Sequence, residues 1–184
     1  LYNNALRHYA KGDVMIFHDV DCVPDENVTY KLDEEQCMYP CRRAIFLNED
    51  GKVKELDDIP HGYRGFRNDV GDHSGFVFMM TRKVWEKIGG LNHLYVGWGL
   101  EDDDTRERVK SHGFKWYRPN PEEGTFFILP HDDNHPGIKD EQYLKNVEVA
   151  KKFRENLEFG YKDSKGTTEK FDTGIDNLTW IKIQ

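Results

Sequence analysis

Val14-Met15-Ile16-Phe17-His18-Asp19-Val20-Asp21 is the stretch that decides the fold of this 184-residue chain. Its first four residues form a short, continuous apolar run, which is the pattern of a strand buried on both faces in a parallel sheet. The run ends abruptly in polar residues, and open α/β sheets bind their ligands at the carboxyl ends of strands. We therefore predict an α/β fold with a ligand site at residues 18–21.

Apolar runs and helical periodicities continue this pattern on both sides. The predicted strands cover residues 44–47, 75–80, 126–129 and 178–183, and the predicted helices cover residues 1–10, 81–88, 101–112 and 139–158. Residues 57–72 hold a proline, three glycines and many charges, and are predicted to form a long surface loop. A length of 184 residues suits one domain or one large lobe of a bigger enzyme, and we expect residues 1–184 to form a single domain.

Composition excludes several classes of partner. Hydrophobic residues make up 37% of the chain, which is enough for a core, and the net charge of −8 argues against binding to nucleic acid or to an anionic membrane surface. No apolar run approaches the roughly 18 residues that a membrane span needs. The chain opens without a starting Met, so we expect an upstream region that is absent here. Free thiols are favoured over a disulfide or a zinc site for Cys22, Cys37 and Cys41.

Asp19-Val20-Asp21 is the first group that can do chemistry. In an extended chain alternate side chains share a face, so the two carboxylates can converge on one hard cation. An isolated Asp-X-Asp is common in acidic proteins and often has no function. Directly after a buried strand, however, two acids must be solvated or paired with a cation, because burying them unpaired is costly. The position therefore favours a cation site.

A run of four carboxylates, Glu101-Asp102-Asp103-Asp104, follows Gly97-Trp98-Gly99-Leu100. The acids repel one another, and the first turn of a helix is a favourable place for them because the helix dipole stabilises negative charge there. A solvated helix start explains the acids alone. The glycines allow close backbone approach, and an indole face beside carboxylates can hold a sugar ring. We therefore predict a carbohydrate site at this helix start.

His131 and His135 follow the predicted strand at residues 126–129. Neutral imidazole is a common ligand for transition metals such as manganese. A lone histidine usually has no such role, but a position at a strand end would let His131 share a cleft with Asp21. We predict His131 as a metal ligand.

Taken together, these residues resemble the β-1,4-galactosyltransferase family, whose C-terminal catalytic region is similar to that of the polypeptide N-acetylgalactosaminyltransferases. The segments that carry the resemblance are, in chain order, Phe17–Asp21 followed by Pro24, Gly75 with its apolar strand, Ile88–Asn92, Gly97–Asp104, Arg118-Pro119, His131 and Gly174–Trp180. Their order and spacing match over nearly the whole chain, and the combination of the two acidic segments is highly specific.

The resemblance implies a GT-A-like (Rossmann-like) mixed sheet flanked by helices, without part of the N-terminal nucleotide-binding half. It implies a divalent cation, usually Mn²⁺, a UDP-sugar donor, a carbohydrate acceptor and inversion at the anomeric carbon. On this reading Asp21 and His131 bind the metal, and Asp102 is the catalytic base that takes the proton from the acceptor hydroxyl.

Further roles follow from the same resemblance. Donor or nucleotide binding is implied for Asp19, Val20 and Gly75, and acceptor or sugar binding for Trp98, Gly99, Glu101 and Asp103. The family often has a Met or a second His just before its metal-binding His, whereas this chain has Ile128, Leu129 and Pro130. A water molecule or His135 would then complete the metal site.

Several alternatives stay open. Around Gly75 the family usually has aromatic residues, whereas this chain has Asp72-His73-Ser74, so the donor sugar is galactose or N-acetylgalactosamine. A metal-dependent hydrolase would use the same carboxylates on water, and a carbohydrate- or metal-binding module would use them without catalysis. The compartment is the Golgi lumen for a eukaryotic chain anchored upstream, and the cytoplasm for a bacterial or viral one.

Overall fold

The computed structural model describes residues 9–33, 36–71, 73–92, 94–130 and 141–158. The strands and α-helices of this part of the chain are, in order, β1 (Val14–His18), β2 (Cys22–Pro24), β3 (Cys37–Met38), β4 (Arg43–Phe46), β5 (Val77–Thr81), α1 (Arg82–Lys87), α2 (Glu101–Ser111), β6 (Trp116–Tyr117), β7 (Thr125–Ile128) and α3 (Glu141–Glu158). Short 3-10 helices cover Leu56–Asp58, His61–Arg67 and Pro121–Glu123. Within these ranges no helix has both the length and the apolar character of a membrane span.

The strands form two small mixed sheets. One has the order β1-β5-β3-β6, and the other has the order β2-β7-β4. Strand β3 runs antiparallel to β5 and parallel to β6, while β7 runs antiparallel to β2 and parallel to β4. The mixed character agrees with the predicted fold class. No two neighbouring strands in these two sheets are consecutive in the sequence, so crossover connections determine the topology.

The chain divides into two compact units. We call the first, formed by Leu1–Met15, Arg82–Lys115 and His135–Gln184, the helical unit, because it contains all three described α-helices. We call the second, formed by Ile16–Thr81 and Trp116–Asn134, the sheet unit, because it contains nearly all of the strands.

The secondary structure agrees closely with the sequence-based expectations. Strands β4, β5 and β7 lie within two residues of their predicted positions, and so do the described ends of the three helices. Helix α1 ends at Gly89-Gly90, where both residues have φ near +75° and the Gly90 N–H donates to the Trp85 carbonyl at 2.9 Å. The predicted strand at residues 178–183 and most of the predicted helix at residues 1–10 lie outside the described residues.

Strand β1 differs from its prediction. Met15 and Phe17 are buried, whereas Val14 and Ile16 are 36% and 44% exposed. The prediction of burial on both faces is therefore wrong. Four consecutive apolar side chains hide the period of two that any strand has, and β-branched residues are favoured in strands whichever face they occupy.

The core of the sheet unit is built around β4, β5 and β7. Ala44, Val77 and Phe126 are fully buried there, and half-buried Phe46 and Phe76 pack against this core. Cys22, Cys37 and Cys41 are free and buried, as predicted. Burial raises the pKa of Cys37 and Cys41 to about 12, so both behave as small neutral core residues at physiological pH.

Gly124 lies where the chain entering β7 crosses the segment before β4. Its carbonyl accepts hydrogen bonds from the backbone N–H groups of Arg42 (2.7 Å) and Arg43 (3.0 Å). A Cβ atom added to Gly124 would lie 2.6 Å from the Pro40 carbonyl oxygen and 2.6 Å from Pro119 Cγ. No side chain fits between these two backbone segments, so the register of β4 against β7 depends on this glycine.

We predict that Gly124→Ala lowers the free energy of unfolding by about 1–3 kcal/mol, the usual cost of overpacking a site that cannot relax. Urea denaturation of the intact chain measures the change. Gly65→Ala is the matched control, because Gly65 has no heavy atom within 4 Å of an added Cβ and a φ outside the positive range. The control is expected to be neutral or slightly stabilising. Equal losses in the two variants would contradict the assignment.

Candidate active site

The carboxylates of Asp19 and Asp21 converge in a β-turn between β1 and β2. The turn is closed by the Cys22 N–H, which donates to the Asp19 carbonyl at 3.2 Å. Each of Asp19, Asp21 and Cys22 offers one ligand atom, and these atoms lie within 4.8 Å of one another. The predicted convergence of the two acids is confirmed. The predicted route, through alternation along a strand, is wrong, because β1 ends at His18 and the turn brings the side chains together.

Two backbone hydrogen bonds hold this acidic turn, residues 19–22, in place. The Asp19 N–H donates to the Phe76 carbonyl at 2.9 Å, and the Leu129 N–H donates to the Asp21 carbonyl at 2.8 Å. The second bond continues the pairing of β2 with β7, in which Cys22 lies opposite Ile128. The position of the two carboxylates is therefore set by segments more than 50 residues away in the sequence.

Cys22 is the third residue of the acidic turn with an atom that could bind a cation. Its side chain is buried, and its thiol lies 3.8 Å from Asp21 Oδ1. Burial, followed by the charges of Asp21 and Asp19, raises the pKa of the Cys22 thiol far above its ordinary value. Sulfur is in any case a soft donor, whereas carboxylate oxygens are the ligands that hard cations prefer. The acidic turn therefore fits a divalent cation of the manganese or magnesium type held through oxygen.

His18 supports the turn from the β1 side. Its Nε2 lies 3.2 Å from the Tyr30 hydroxyl, and its Nδ1 lies 2.8 Å from the Asp19 carbonyl oxygen. Both ring nitrogens are thus engaged, and the imidazole orients the backbone of Asp19. Tyr30 was not found from the sequence, since it lies in a stretch without regular periodicity.

Aromatic side chains surround the segment that receives the Asp19 hydrogen bond. The ring of Phe76 lies 4.8 Å from the His73 ring, the Phe66 ring lies 5.0 Å from His73, and Tyr63 packs edge-on against Phe66 at 5.1 Å. Gly75, a predicted donor-side residue, lies between His73 and Phe76 in the sequence, and its carbonyl accepts a hydrogen bond from the Val77 N–H at 3.1 Å. Tyr63 and Phe66 of the predicted loop thus bring aromatic rings to His73 and Phe76, on either side of Gly75 in the sequence.

The second predicted group of site residues lies in the helical unit, around the start of α2. Trp98 is 37% exposed, and its indole stacks on the Tyr143 ring at 5.6 Å between centroids. Gly99 has φ +105°, and Leu100, which immediately precedes α2, has φ +74°. Such a φ is uncommon for leucine and is maintained only where surrounding contacts fix it. The turn into α2 is therefore held by its packing.

The four acids at the start of α2 divide into different roles. Asp104 is buried and pairs with Arg108 at 2.8 Å, with both side chains at most 2% exposed. Asp103 pairs with Arg106 at 3.0 Å on a partly exposed face. Glu101 is exposed and Asp102 is half-buried, both in the first turn, where the helix dipole stabilises negative charge. Opposite charges one turn along the helix thus reduce the repulsion within the run.

Arg108 also joins α2 to the end of α1. Its Nη1 donates to the Ile88 carbonyl at 2.7 Å and to the Gly90 carbonyl at 2.6 Å. These carbonyls are among the groups that a helix end leaves without an intrahelical partner. Arg108 was not singled out from the sequence, although the four-residue spacing of Asp104 and Arg108 is a signal for such a pair.

The described structure therefore contains two groups of predicted site residues. The acidic turn and Gly75 belong to the sheet unit, and Trp98, Gly99 and the first turn of α2 belong to the helical unit. His131 and His135, the predicted imidazole ligands, lie outside the described residues.

Comparison with known proteins relates the chain to galactosyltransferases. A protein-family model for the N-terminal domain of galactosyltransferase matches residues 63–132. β-1,4-Galactosyltransferase 4 of Cricetulus griseus is 32% identical over 130 residues, which cover 71% of this chain and 33% of the relative. The human β-1,4-galactosyltransferase 4 is 32% identical over 131 residues, with the same two coverages. The chain thus spans about a third of the length of these relatives.

Solved structures of galactosyltransferases resemble this chain in fold. The catalytic domain of Drosophila β-1,4-galactosyltransferase 7 in complex with xylobiose superposes with a TM-score of 0.56 at 18% identity, covering 81% of this chain and 58% of that one. A mutant of that enzyme in complex with manganese, UDP-Gal and xylobiose superposes with a TM-score of 0.52, also at 18% identity, covering 78% and 57%. These likenesses show a GT-A fold.

We predict that Arg108→Met lowers the free energy of unfolding by about 3–5 kcal/mol, because it leaves the buried Asp104 carboxylate without its partner. Arg106→Met is the matched control, since the Arg106–Asp103 pair is partly exposed and such pairs contribute only about 0–1 kcal/mol. Chemical denaturation of both variants measures the difference. Equal losses in the free energy of unfolding in the two variants would contradict the proposed importance of the buried pair.

Proposed function

Because the chain belongs to the β-1,4-galactosyltransferase family, we propose that residues 1–184 form one glycosyltransferase catalytic domain. The proposed reaction moves galactose from UDP-galactose to a hydroxyl group of a carbohydrate acceptor. The observation that carries the proposal is the acidic turn, in which the Asp19 and Asp21 carboxylates converge directly after a strand of a GT-A fold. UDP-N-acetylgalactosamine is the other donor to test, since the two sugars differ only at C2.

Asp21 is the proposed metal ligand, with His131 as a second ligand and a water molecule or His135 in a further position. Manganese is the first cation to test, because the Drosophila relative was solved with manganese and UDP-Gal. When bound, a divalent cation neutralises charge on the diphosphate and on the departing UDP. Asp19, Val20 and Gly75 would face the donor from the same turn and its neighbouring loop.

Asp102 is the proposed catalytic base. The acceptor hydroxyl oxygen attacks the anomeric carbon, the bond between that carbon and the UDP oxygen breaks, and the hydroxyl proton passes to the Asp102 carboxylate. Attack opposite the leaving group inverts the anomeric configuration. Asp102 lies half-buried in the first turn of α2, two residues after Leu100 and close in sequence to Trp98, the proposed sugar-stacking residue.

The acceptor would bind beside this base. Trp98 offers an indole surface for the C–H face of a sugar, and Glu101 and Asp103 offer carboxylate oxygens for its hydroxyl groups. Gly99 lets the backbone approach closely. The curated relatives matched above come from animals, and on that basis we favour the eukaryotic alternative, in which the domain works in the Golgi lumen.

We predict that manganese raises the melting temperature of the chain and that UDP adds to the shift only when manganese is present. At a manganese concentration about 100 times its Kd, the shift should be roughly 5–10 °C. Asp21→Asn should abolish the manganese shift, and EDTA should reverse it in the unaltered chain. Asp25→Asn, a nearby carboxylate outside the metal cluster, is the control that should keep the shift. If titration calorimetry detects no binding of manganese to the intact chain, the metal assignment is contradicted.

We predict that Asp102→Asn lowers kcat by at least about 100-fold, the usual contribution of a general base, while manganese binding stays unchanged. Mass spectrometry of the products formed from UDP-galactose, with xylobiose, glucose or N-acetylglucosamine as acceptor, measures turnover. Glu107→Gln, on the same helix beyond its first turn, should keep activity. A carbohydrate- or metal-binding module without catalysis would bind these sugars without forming products, and Asp102→Asn would then change little.

A further inference from the structure

Asn146 on helix α3 is bonded to the loop that carries Trp98. Its side chain is fully buried, although it is polar. Its Nδ2 lies 3.0 Å from the Val96 carbonyl, 3.3 Å from the Trp98 carbonyl and 3.1 Å from the Gly99 carbonyl. Its Oδ1 accepts a hydrogen bond from the Val96 N–H at 3.2 Å. One amide therefore binds the backbone on both sides of Trp98.

These contacts specify asparagine. Three carbonyl oxygens around Nδ2 require a donor, and the Val96 N–H requires an acceptor, so the orientation of the amide is set by its surroundings. Aspartate would place a carboxylate against the carbonyl oxygens. Leucine has a similar shape, but its buried side chain could neither accept from the Val96 N–H nor donate to the three carbonyl oxygens, so these hydrogen bonds would be lost.

Tyr143, one turn earlier on the same face of α3, holds the side chain of Trp98. The two rings stack, so one face of the indole is covered while 37% of the residue remains exposed. A Cβ atom on Gly99 would lie 2.7 Å from the Tyr143 ring, and a Cβ atom on Gly97 would lie 3.4 Å from Gln142 Cγ. Gly99 is thus the residue that allows α3 to pack so closely, whereas a Cβ atom at Gly97 would make an ordinary contact.

We propose that Asn146 is a positioning residue for acceptor binding. It fixes the backbone of residues 96–99, and Tyr143 fixes the indole of Trp98, so that the exposed indole surface is held ready for the C–H face of an acceptor pyranose. This inference rests on the proposed function and adds a residue that acts through Trp98, without touching the donor, the cation or the proton of the reaction. Loss of Asn146 therefore weakens acceptor binding and leaves the donor side intact.

The test compares Asn146→Leu and Asn146→Asp with Lys145→Met, a control at the next position of α3, where the side chain is exposed. Hydrogen exchange of the Val96 amide reports the contact itself and does not depend on activity. In Asn146→Leu the amide loses its acceptor, and exchange should accelerate at least tenfold. In Asn146→Asp the acceptor oxygen remains, and the acceleration should be smaller. Lys145→Met should exchange like the unaltered chain.

Steady-state kinetics with UDP-galactose and either xylobiose or N-acetylglucosamine, whichever accepts galactose, give the second readout. Asn146→Leu should raise the acceptor KM about tenfold, equivalent to the loss of about 1.4 kcal/mol of binding, with kcat and the UDP-galactose KM within about twofold of their original values. A general loosening of the domain would instead change both KM values.

Three results would overturn the inference: unchanged exchange at Val96, equal rises of the two KM values, or a fall in kcat with an unchanged acceptor KM. Should Asn146→Leu fail to fold, Tyr143→Leu removes the stacking partner without leaving a buried polar group, and it should raise the acceptor KM in the same way. If the unaltered chain transfers galactose to neither sugar, the proposed function fails and the acceptor role of Asn146 falls with it. Accelerated exchange would then still identify Asn146 as the residue that holds the loop.

Discussion

Mutual repulsion between carboxylates is the constraint on which the rest of this structure depends. The chain has a net charge of −8 and places acids side by side in two segments. At the acidic turn the repulsion is resisted by backbone hydrogen bonds, because the Asp19 N–H and the Asp21 carbonyl are both bonded to distant segments. The cost of holding the two carboxylates together would fall if the proposed cation bound between them, and binding would then be linked to stability.

The acidic start of α2 meets the same constraint in another way. Arg106 and Arg108 lie one helical turn beyond the acids, and each pairs with one of them. The buried Asp104–Arg108 pair also joins α2 to the end of α1. One acid of the run is thereby assigned to structure, and Asp102 keeps its position in the first turn, where a base for the acceptor hydroxyl is proposed.

Glycine and residues with positive φ occur next to both acidic segments. Gly99 admits the Tyr143 ring, and Leu100 enters α2 with a positive φ. On the sheet side Phe76, with φ +73°, presents its carbonyl to Asp19. Residues held in sparsely populated conformations tend to cluster at functional sites, since only there is the cost repaid. The segment bonded to the acidic turn and the residue before α2 each have one such conformation.

The sequence by itself determined whatever depends on neighbours along the chain. Helix α2 with its acidic first turn, the strands β4, β5 and β7, and the glycines that end α1 follow from periodicity, capping and charge, which act over a few residues. The pairing of Asp19 with Asp21 could also be predicted from the sequence. The prediction that strand alternation brings them together was wrong, because an apolar run does not show where the strand ends and a turn begins. Asn146 and Val96 are 50 residues apart in the sequence, and Asp19 and Phe76 are farther apart still. Patterns that act over a few residues cannot predict contacts at such separations. Only the tertiary structure decided these contacts, since a hydrogen bond between distant segments exists only once the whole fold has brought them within 3 Å or so of each other.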